Sequence, residues 1–195
     1  MADPPPSVIV LAGPNGAGKT TAARTLLAET LKVMTFVNAD VIAQGLAGFD
    51  PDSAAIEASR IMLERLHSLA EQRADFAFET TLAGRTLAGW LDDLRKTGYV
   101  VHLVYFWLES ADLAVARVAE RVSMGGHAIP AATIRRRYHR SIRNFFELYR
   151  RVVSGWRVFD NSQRGISRLV AHGDLVGGET ILIEPVWQCI KEIAS

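Results

Sequence analysis

The residues with the clearest chemical potential are Gly13-Pro14-Asn15-Gly16-Ala17-Gly18-Lys19-Thr20. Their spacing is G-x-x-x-x-G-K-[ST]. Glycines let the backbone curl until successive N–H groups point at one centre. A helix starting near Lys19 would add the partial positive charge of its N-terminus at the same place. A lysine in this position reaches the β- and γ-phosphates of a nucleotide, and the hydroxyl after it is a Mg²⁺ ligand. The spacing therefore predicts an ATP·Mg²⁺ site formed by Gly13–Lys19 together with Thr20 and Thr21.

Two acids fall where a second reactant would be met. Asp40 closes Asn38-Ala39-Asp40, and Glu79 opens Glu79-Thr80-Thr81. Each follows an apolar run that reads as a strand, and open parallel sheets bind ligands beyond the carboxyl ends of their strands. A hydroxyl that accepts a phosphoryl group needs a carboxylate to take its proton. Asp40 fits that role, and it also fits the N-cap of a helix over Val41–Gly45. Glu79 fits a contact to acceptor hydroxyls, a Mg²⁺ held through water, or a turn cap. Thr80 and Thr81 add neutral hydrogen-bonding groups, and Arg85 suits an anionic acceptor or a surface position.

Cations gather further along. Eight arginines and one acid, Glu147, lie between Arg121 and Arg151. Helical spacing puts Ile134, Tyr138, Phe145, Tyr149 and Val152 on one buried stripe. Arg136, Arg140, Arg143 and Glu147 then face water, and Arg137, Ser141 and Asn144 share a flank turned to the nucleotide cleft. Arg121 precedes Gly125-Gly126-His127, a flexible loop by its glycines. A cationic loop that closes over ATP excludes water and stabilises the transferring phosphoryl group. Arg121 and Arg137 are the expected lid arginines, with Arg136 as the substitute for Arg137. His127 reads equally as a phosphate contact or a turn residue. Asn161 follows the last parallel strand, near the expected adenine position.

These residues need a scaffold, and the chain supplies an alternation. Strands are predicted at Val8–Ala12, Met34–Asn38, Phe76–Phe78, Tyr99–Leu108 and Trp156–Asp160. Helices are predicted at Lys19–Leu31, from Asp50-Pro51 to Arg73 with Ile56, Leu63, Leu66 and Ala70 on one face, at Thr86–Lys96, from Ser110 to Val122, and from Pro130 to Val153. The pattern implies an α/β P-loop sandwich with a mainly parallel five-stranded sheet and an Arg-rich helical lid. Ser167–His172 and Ile181–Ile183 read as an edge hairpin, followed by a helix from Pro185. The expected organisation is a tail over 1–7 and one domain over 8–195. Its lid is placed at about 121–137 and its hairpin and helix at about 166–195.

Composition narrows the class. The 195 residues carry a formal net charge of +1, so no global field favours nucleic acid or a membrane surface. Cys189 is the lone cysteine, so no intrachain disulfide forms, which agrees with a reducing compartment. Met1–Ser7 lacks a signal-peptide pattern, and Tyr99–Leu108 is too short to span a bilayer. The expectation is a cytoplasmic protein. Neither an LSGGQ-like signature nor an N-K-x-D motif occurs. Their absence leans the reading toward nucleotide and metabolite kinases. The Arg135–Arg151 run leaves a nucleotide-dependent nucleic-acid binder as the competing class, against which the near-zero net charge and the apolar stripe argue.

The ordered set resembles the zeta-toxin family of P-loop kinases over about residues 8–162. The resemblance rests on Gly13–Thr20, Asn38-Ala39-Asp40, Phe78-Glu79-Thr80-Thr81, Arg121 with Gly125-Gly126-His127-Ala128-Ile129-Pro130, and Phe159-Asp160-Asn161-Ser162. It implies a kinase for the 3′-hydroxyl of the sugar in UDP-N-acetylglucosamine. It further implies that Asp40 is the base and that Glu79 helps hold the acceptor. Some family members are toxins whose antitoxin blocks the ATP site, so an antitoxin partner is a further expectation. The chain looks closest to short members often labelled predicted ATPases. The residues alone leave open another acceptor, such as a sugar acid or an antibiotic.

Overall fold

Val8 to Ala12 is apolar without alternation, and the fold uses it in the middle of the sheet. Every one of these five residues is buried, so both faces of the strand are covered. The structure is a computed structural model that describes residues 4–23, 27, 33–47, 53–126 and 128–195. The strands are β1 (Ser7–Ala12), β2 (Phe36–Val37), β3 (Phe76–Thr80), β4 (Val100–Trp107), β5 (Gly155–Asp160), β6 (Arg168–Asp174) and β7 (Gly178–Ile181). The helices are α1 (Lys19–Ala23), α2 (Ala39–Leu46), α3 (Ala55–Glu71), α4 (Thr86–Lys96), α5 (Ala111–Ser123), α6 (Ala131–Glu147) and α7 (Glu184–Ala194).

The sheet order is β2-β3-β1-β4-β5-β6-β7. The first five strands pair in parallel, as the alternation of strands and helices requires. The predicted hairpin is β6–β7, and it adds to β5 antiparallel, so the sheet has seven strands. Register aligns the carboxyl ends: Ala12 lies beside Thr80 on one side and Tyr105 on the other. Trp107 lies beside Asp160. The phosphate loop, Glu79 and Asn161 therefore leave the sheet along one edge.

Two expectations for the helices change. Helix α3 buries Ala58, Met62, Leu66 and Leu69, whereas Ile56 is 89% and Leu63 43% exposed. Leu66 is seated as expected and Ala70 packs beside the core, but Ala58, Met62 and Leu69 complete the buried stripe in place of Ile56 and Leu63. Helix α6 ends at Glu147 and gives way to a 3₁₀ turn over Tyr149–Arg151, so it stops short of Val153. The predicted helix start at Asp50-Pro51, the stretch of the first helix from Arg24 to Leu31 apart from Leu27, and His127 lie outside the described residues.

Helix α5 begins where predicted, with Ser110 Oγ accepting from Leu113 N at 3.0 Å. Helix α7 is anchored by Trp187, which is fully buried and stacks on Trp156 with ring centroids 5.7 Å apart. Among the described residues no helix is long and apolar enough to cross a membrane.

Candidate active site

The loop after β1 needs glycine for two reasons. Gly13, Gly16 and Gly18 have φ of 137°, 79° and 82°, in the region that side chains disfavour. Space is the second. A Cβ on Gly13 would collide with the Phe106 carbonyl, and one on Gly16 would sit 2.9 Å from the Ala114 carbonyl oxygen. The loop thus lies tight against β4 and α5. Asn161 fixes it from the β5 side: Nδ2 donates to the Ala17 carbonyl at 2.9 Å, and Oδ1 accepts from Ser167 Oγ at 2.6 Å. Asn161 therefore acts on the loop backbone as well as lining the cavity beside it.

Lys19 is 5% exposed. Its Nζ donates to the Pro14 carbonyl at 3.0 Å and lies 3.5 Å from Glu79 Oε1. Burial pushes the ammonium below the ordinary lysine range, and the carboxylates of Glu79 and Asp40 offset this only in part. Glu79 Oε2 accepts from Thr20 Oγ1 at 2.6 Å and from Asn38 Nδ2 at 2.9 Å. A hydroxyl and a carboxylate oxygen are hard ligands of the kind Mg²⁺ prefers. Mg²⁺ takes one or two protein ligands and fills the rest with phosphate oxygens and water, so this pair fits it. Asn15 Oδ1 is buried close by and has no hydrogen-bond partner among the described residues.

The helix that carries Asp40 is capped by another residue. Asn38 Oδ1 accepts from the amides of Asp40 at 2.8 Å and Val41 at 3.3 Å. Asp40 is the second residue of α2, so its carboxylate is not needed as the cap. It is exposed and lines a cavity of about 490 Å³ with Asn15, Lys19, Glu79, Thr80, Thr81 and Arg137. Its apolar lining comes from Met62 and Leu63 of α3, Leu87 of α4 and Ile129, with Ser59 and Thr86 among them. A second cavity, of about 740 Å³, lies on the other flank of the loop. Gly18, Thr21, Arg117, Arg121, Asn161 and Arg164 line it.

The arginines sort by position. Arg137 is half-buried and lines the first cavity, whereas Arg135 pairs with Asp112 and Arg136 is exposed. Arg121 lines the second. Arg85 does not line the cavity: it is largely exposed and its Nη1 lies 3.4 Å from Glu147 Oε2. The expected polar flank of α6 also divides. Ser141 and Asn144 are buried, Ser141 against the Tyr105 hydroxyl at 2.9 Å and Asn144 against the Leu82 carbonyl at 2.7 Å. Only Arg137 of the three lines the cleft, because Ser141 is taken up by Tyr105 of β4 and Asn144 by the β3–α4 turn.

Sequence reasoning passed over Arg117, gave Asn38 no role of its own, and turned Asn144 toward the cleft, where it instead holds the Leu82 carbonyl. Asn38 carried a readable signal, an asparagine directly before a helix. Arg117 Nη2 donates to the Ser162 carbonyl at 2.8 Å. That contact joins elements distant in the chain, so no local pattern announces it.

Residues 8–143 match AAA_33, an AAA domain family. The chain belongs to that family. An uncharacterised protein of Haemophilus influenzae is 29% identical to this AAA_33 chain over 130 residues, which is 67% of this chain and 91% of that protein. Among solved structures, AvrRxo1-ORF1:AvrRxo1-ORF2 with sulphate ions aligns with a TM-score of 0.79 at 18% identity over 97% of this chain. The present chain spans 64% of the length of that one. The PezAT chromosomal toxin–antitoxin system of Streptococcus pneumoniae aligns with a TM-score of 0.60 at 16% identity, over 86% of this chain and 73% of that one. These likenesses establish a P-loop kinase-like fold for the AAA_33 chain.

Proposed function

We propose that the protein is a phosphotransferase that moves the terminal phosphoryl group of ATP to a hydroxyl of a small molecule. One observation carries the reading. Lys19 lines one cavity and its neighbours Gly18 and Thr21 line another, so the phosphate loop sits between two binding spaces. A hydrolase needs only one. The first cavity holds the free carboxylate of Asp40, and the second holds Arg117, Arg121 and Asn161.

ATP enters the second cavity with its phosphates along Gly13–Thr20. The acceptor enters the first. Its oxygen bonds to the γ-phosphorus while the bond from that phosphorus to the β–γ bridging oxygen breaks, and ADP leaves with the electron pair. Asp40 takes the hydroxyl proton. Arg137 on the acceptor side and Arg121 on the donor side hold charge on the moving group as the 121–137 segment closes. Thr20 and Glu79 would hold Mg²⁺, which would neutralise phosphate charge.

The zeta-toxin resemblance supports UDP-N-acetylglucosamine, or a related sugar nucleotide, as the acceptor. Two observations favour a less anionic acceptor: Arg85 is paired with Glu147, and Met62, Leu63, Leu87 and Ile129 line the cavity. A sugar acid or an antibiotic belongs to this second reading. Incubation with ATP·Mg²⁺ and an acceptor panel headed by UDP-N-acetylglucosamine, read by mass spectrometry, separates the two. A mass gain of one phosphoryl group on any acceptor, lost in Asp40→Ala, supports the transferase. Hydrolysis to ADP with no acceptor modified rejects it.

A protein partner is also part of the proposal. One structural relative named above is a complex of two proteins, and the other comes from a toxin–antitoxin system. Val41 and Leu46 on α2 and Ile56 on α3 are exposed apolar residues close to the acceptor cavity. Co-expression with the product of an adjacent small reading frame, followed by size-exclusion chromatography, tests it.

A further inference from the structure

Asn144 sits two turns along α6 from Arg137 and has no place in the chemistry above. It is 4% exposed. Its Nδ2 donates to the Leu82 carbonyl at 2.7 Å and to the Gly84 carbonyl at 3.4 Å. Just beyond the helix, the buried Tyr149 hydroxyl donates to the same Gly84 carbonyl at 2.7 Å. Burial pushes that hydroxyl up to about 12, so it remains a donor at any working pH.

The turn these donors hold is unusual. Leu82 is fully buried with φ of 55°, a left-handed conformation that a leucine adopts only when its surroundings enforce it. Two side chains brace it locally. Thr80 Oγ1 accepts from Leu82 N at 3.1 Å, and Thr81 Oγ1 accepts from Ala83 N at 3.4 Å. Thr80, Thr81 and Gly84 all line the acceptor cavity. One wall of that cavity is therefore a strained turn clamped from outside by the helix whose earlier residue, Arg137, reaches the same cavity.

We propose that Asn144 is a positioning residue for the acceptor: its buried amide ties the Thr81–Gly84 turn to the helix bearing Arg137, so that the hydroxyl-facing wall and the cation over the phosphoryl group form one rigid frame. The inference rests on the preceding assignment of the first cavity to the acceptor. Without Asn144 the turn relaxes, and Thr80 and Thr81 lose their fixed aim. Nucleotide binding in the second cavity, away from the turn, is untouched.

The test compares Asn144→Ala and Tyr149→Phe with Ser141→Ala. The last removes a buried hydrogen bond one turn away on the same helix and does not contact the turn. Hydrogen exchange at Leu82 and Ala83 is followed with and without AMP-PNP·Mg²⁺, and nucleotide affinity is measured separately. In the wild type the nucleotide is expected to slow exchange at these amides through Arg137 and α6. Asn144→Ala should bind nucleotide within about twofold of wild type, lose that slowing, and exchange about tenfold faster at the turn. Tyr149→Phe should show a smaller effect in the same direction, and it decides the matter should Asn144→Ala fail to fold. Ser141→Ala should behave as wild type at the turn. With any acceptor found active, Asn144→Ala should raise the acceptor KM at an unchanged KM for ATP. Retention of nucleotide-induced slowing in Asn144→Ala, its absence in wild type, or its equal loss in Ser141→Ala overturns the proposal. Absence of any active acceptor defeats the transferase assignment instead, and the exchange comparison still stands.

Discussion

Asn38 joins the two acids of the acceptor side. Its Nδ2 donates to Glu79 Oε2 at 2.9 Å, and its Oδ1 caps the helix on which Asp40 rides. One buried amide thereby sets the position of both carboxylates relative to Lys19. Its two ends can be separated by substitution. Asn38→Ser keeps a good cap and loses the bond to Glu79, whereas Asn38→Ala loses both. Chemical denaturation should show Asn38→Ala about 1–2 kcal/mol less stable than wild type. Asn38→Ser should recover about half of that, and equal losses in the two variants would mean that the cap contributes nothing.

Glu79 faces Lys19 and Thr20 together. Glu79→Gln keeps the shape and removes the charge. The expected result is about 10–100-fold weaker Mg²⁺ binding in the presence of nucleotide. A titration of phosphoryl transfer against Mg²⁺ reads this directly, and an unchanged midpoint would place the metal elsewhere.

Asp40 is exposed at the cavity and is not the cap of its helix. Removing a positioned general base costs about 10²–10⁴-fold in rate. Asp40→Asn should show a loss in that range in kcat, with ATP affinity within a few-fold of wild type. Single-turnover kinetics beside equilibrium nucleotide binding makes the comparison. Full activity in Asp40→Asn would remove the carboxylate from the mechanism.

Much of this arrangement is legible in the residue order alone. The run Val8–Ala12 followed by glycines and Lys19 fixed a strand, a loop and a helix in order, because each part requires its own residue types. Asp40 and Glu79 were legible through their place after apolar runs. Asn144 was not. Helical spacing puts it on the same flank as Arg137, but whether that flank meets solvent, ligand or backbone depends on how α6 tilts over β4. Here it meets backbone: the partner of Asn144 is the Leu82 carbonyl, which helical spacing within α6 cannot reveal. The exposed Ile56 and Leu63 mislead for a related reason. Two apolar stripes on α3 satisfy the same periodicity, and packing selects the one with Ala58 and Met62. Arg85 suffered a similar ambiguity, resolved by Glu147 one helix away.

Lys19 makes the pH dependence of nucleotide binding predictable in sign. In the free protein burial holds its ammonium below the ordinary value of 10.5. A triphosphate brought against Nζ adds negative charge and raises it again. A group whose affinity for protons rises on binding favours the complex fully below its free-state value and loses that contribution as pH climbs toward its bound-state value. ATP·Mg²⁺ affinity should therefore fall with increasing pH on the alkaline side, beginning below 10.5, by up to about tenfold per pH unit for one proton. Folding without nucleotide should run the other way, because the unfolded chain binds the proton more tightly, so stability gains as pH rises toward 10.5. Calorimetric titration of ATP·Mg²⁺ across the alkaline range checks the first slope, and Lys19→Met should flatten it. A wild-type affinity that stays constant there would mean that Lys19 carries no charge onto the phosphates, and the cage of Gly13–Thr20 would have lost its central contact.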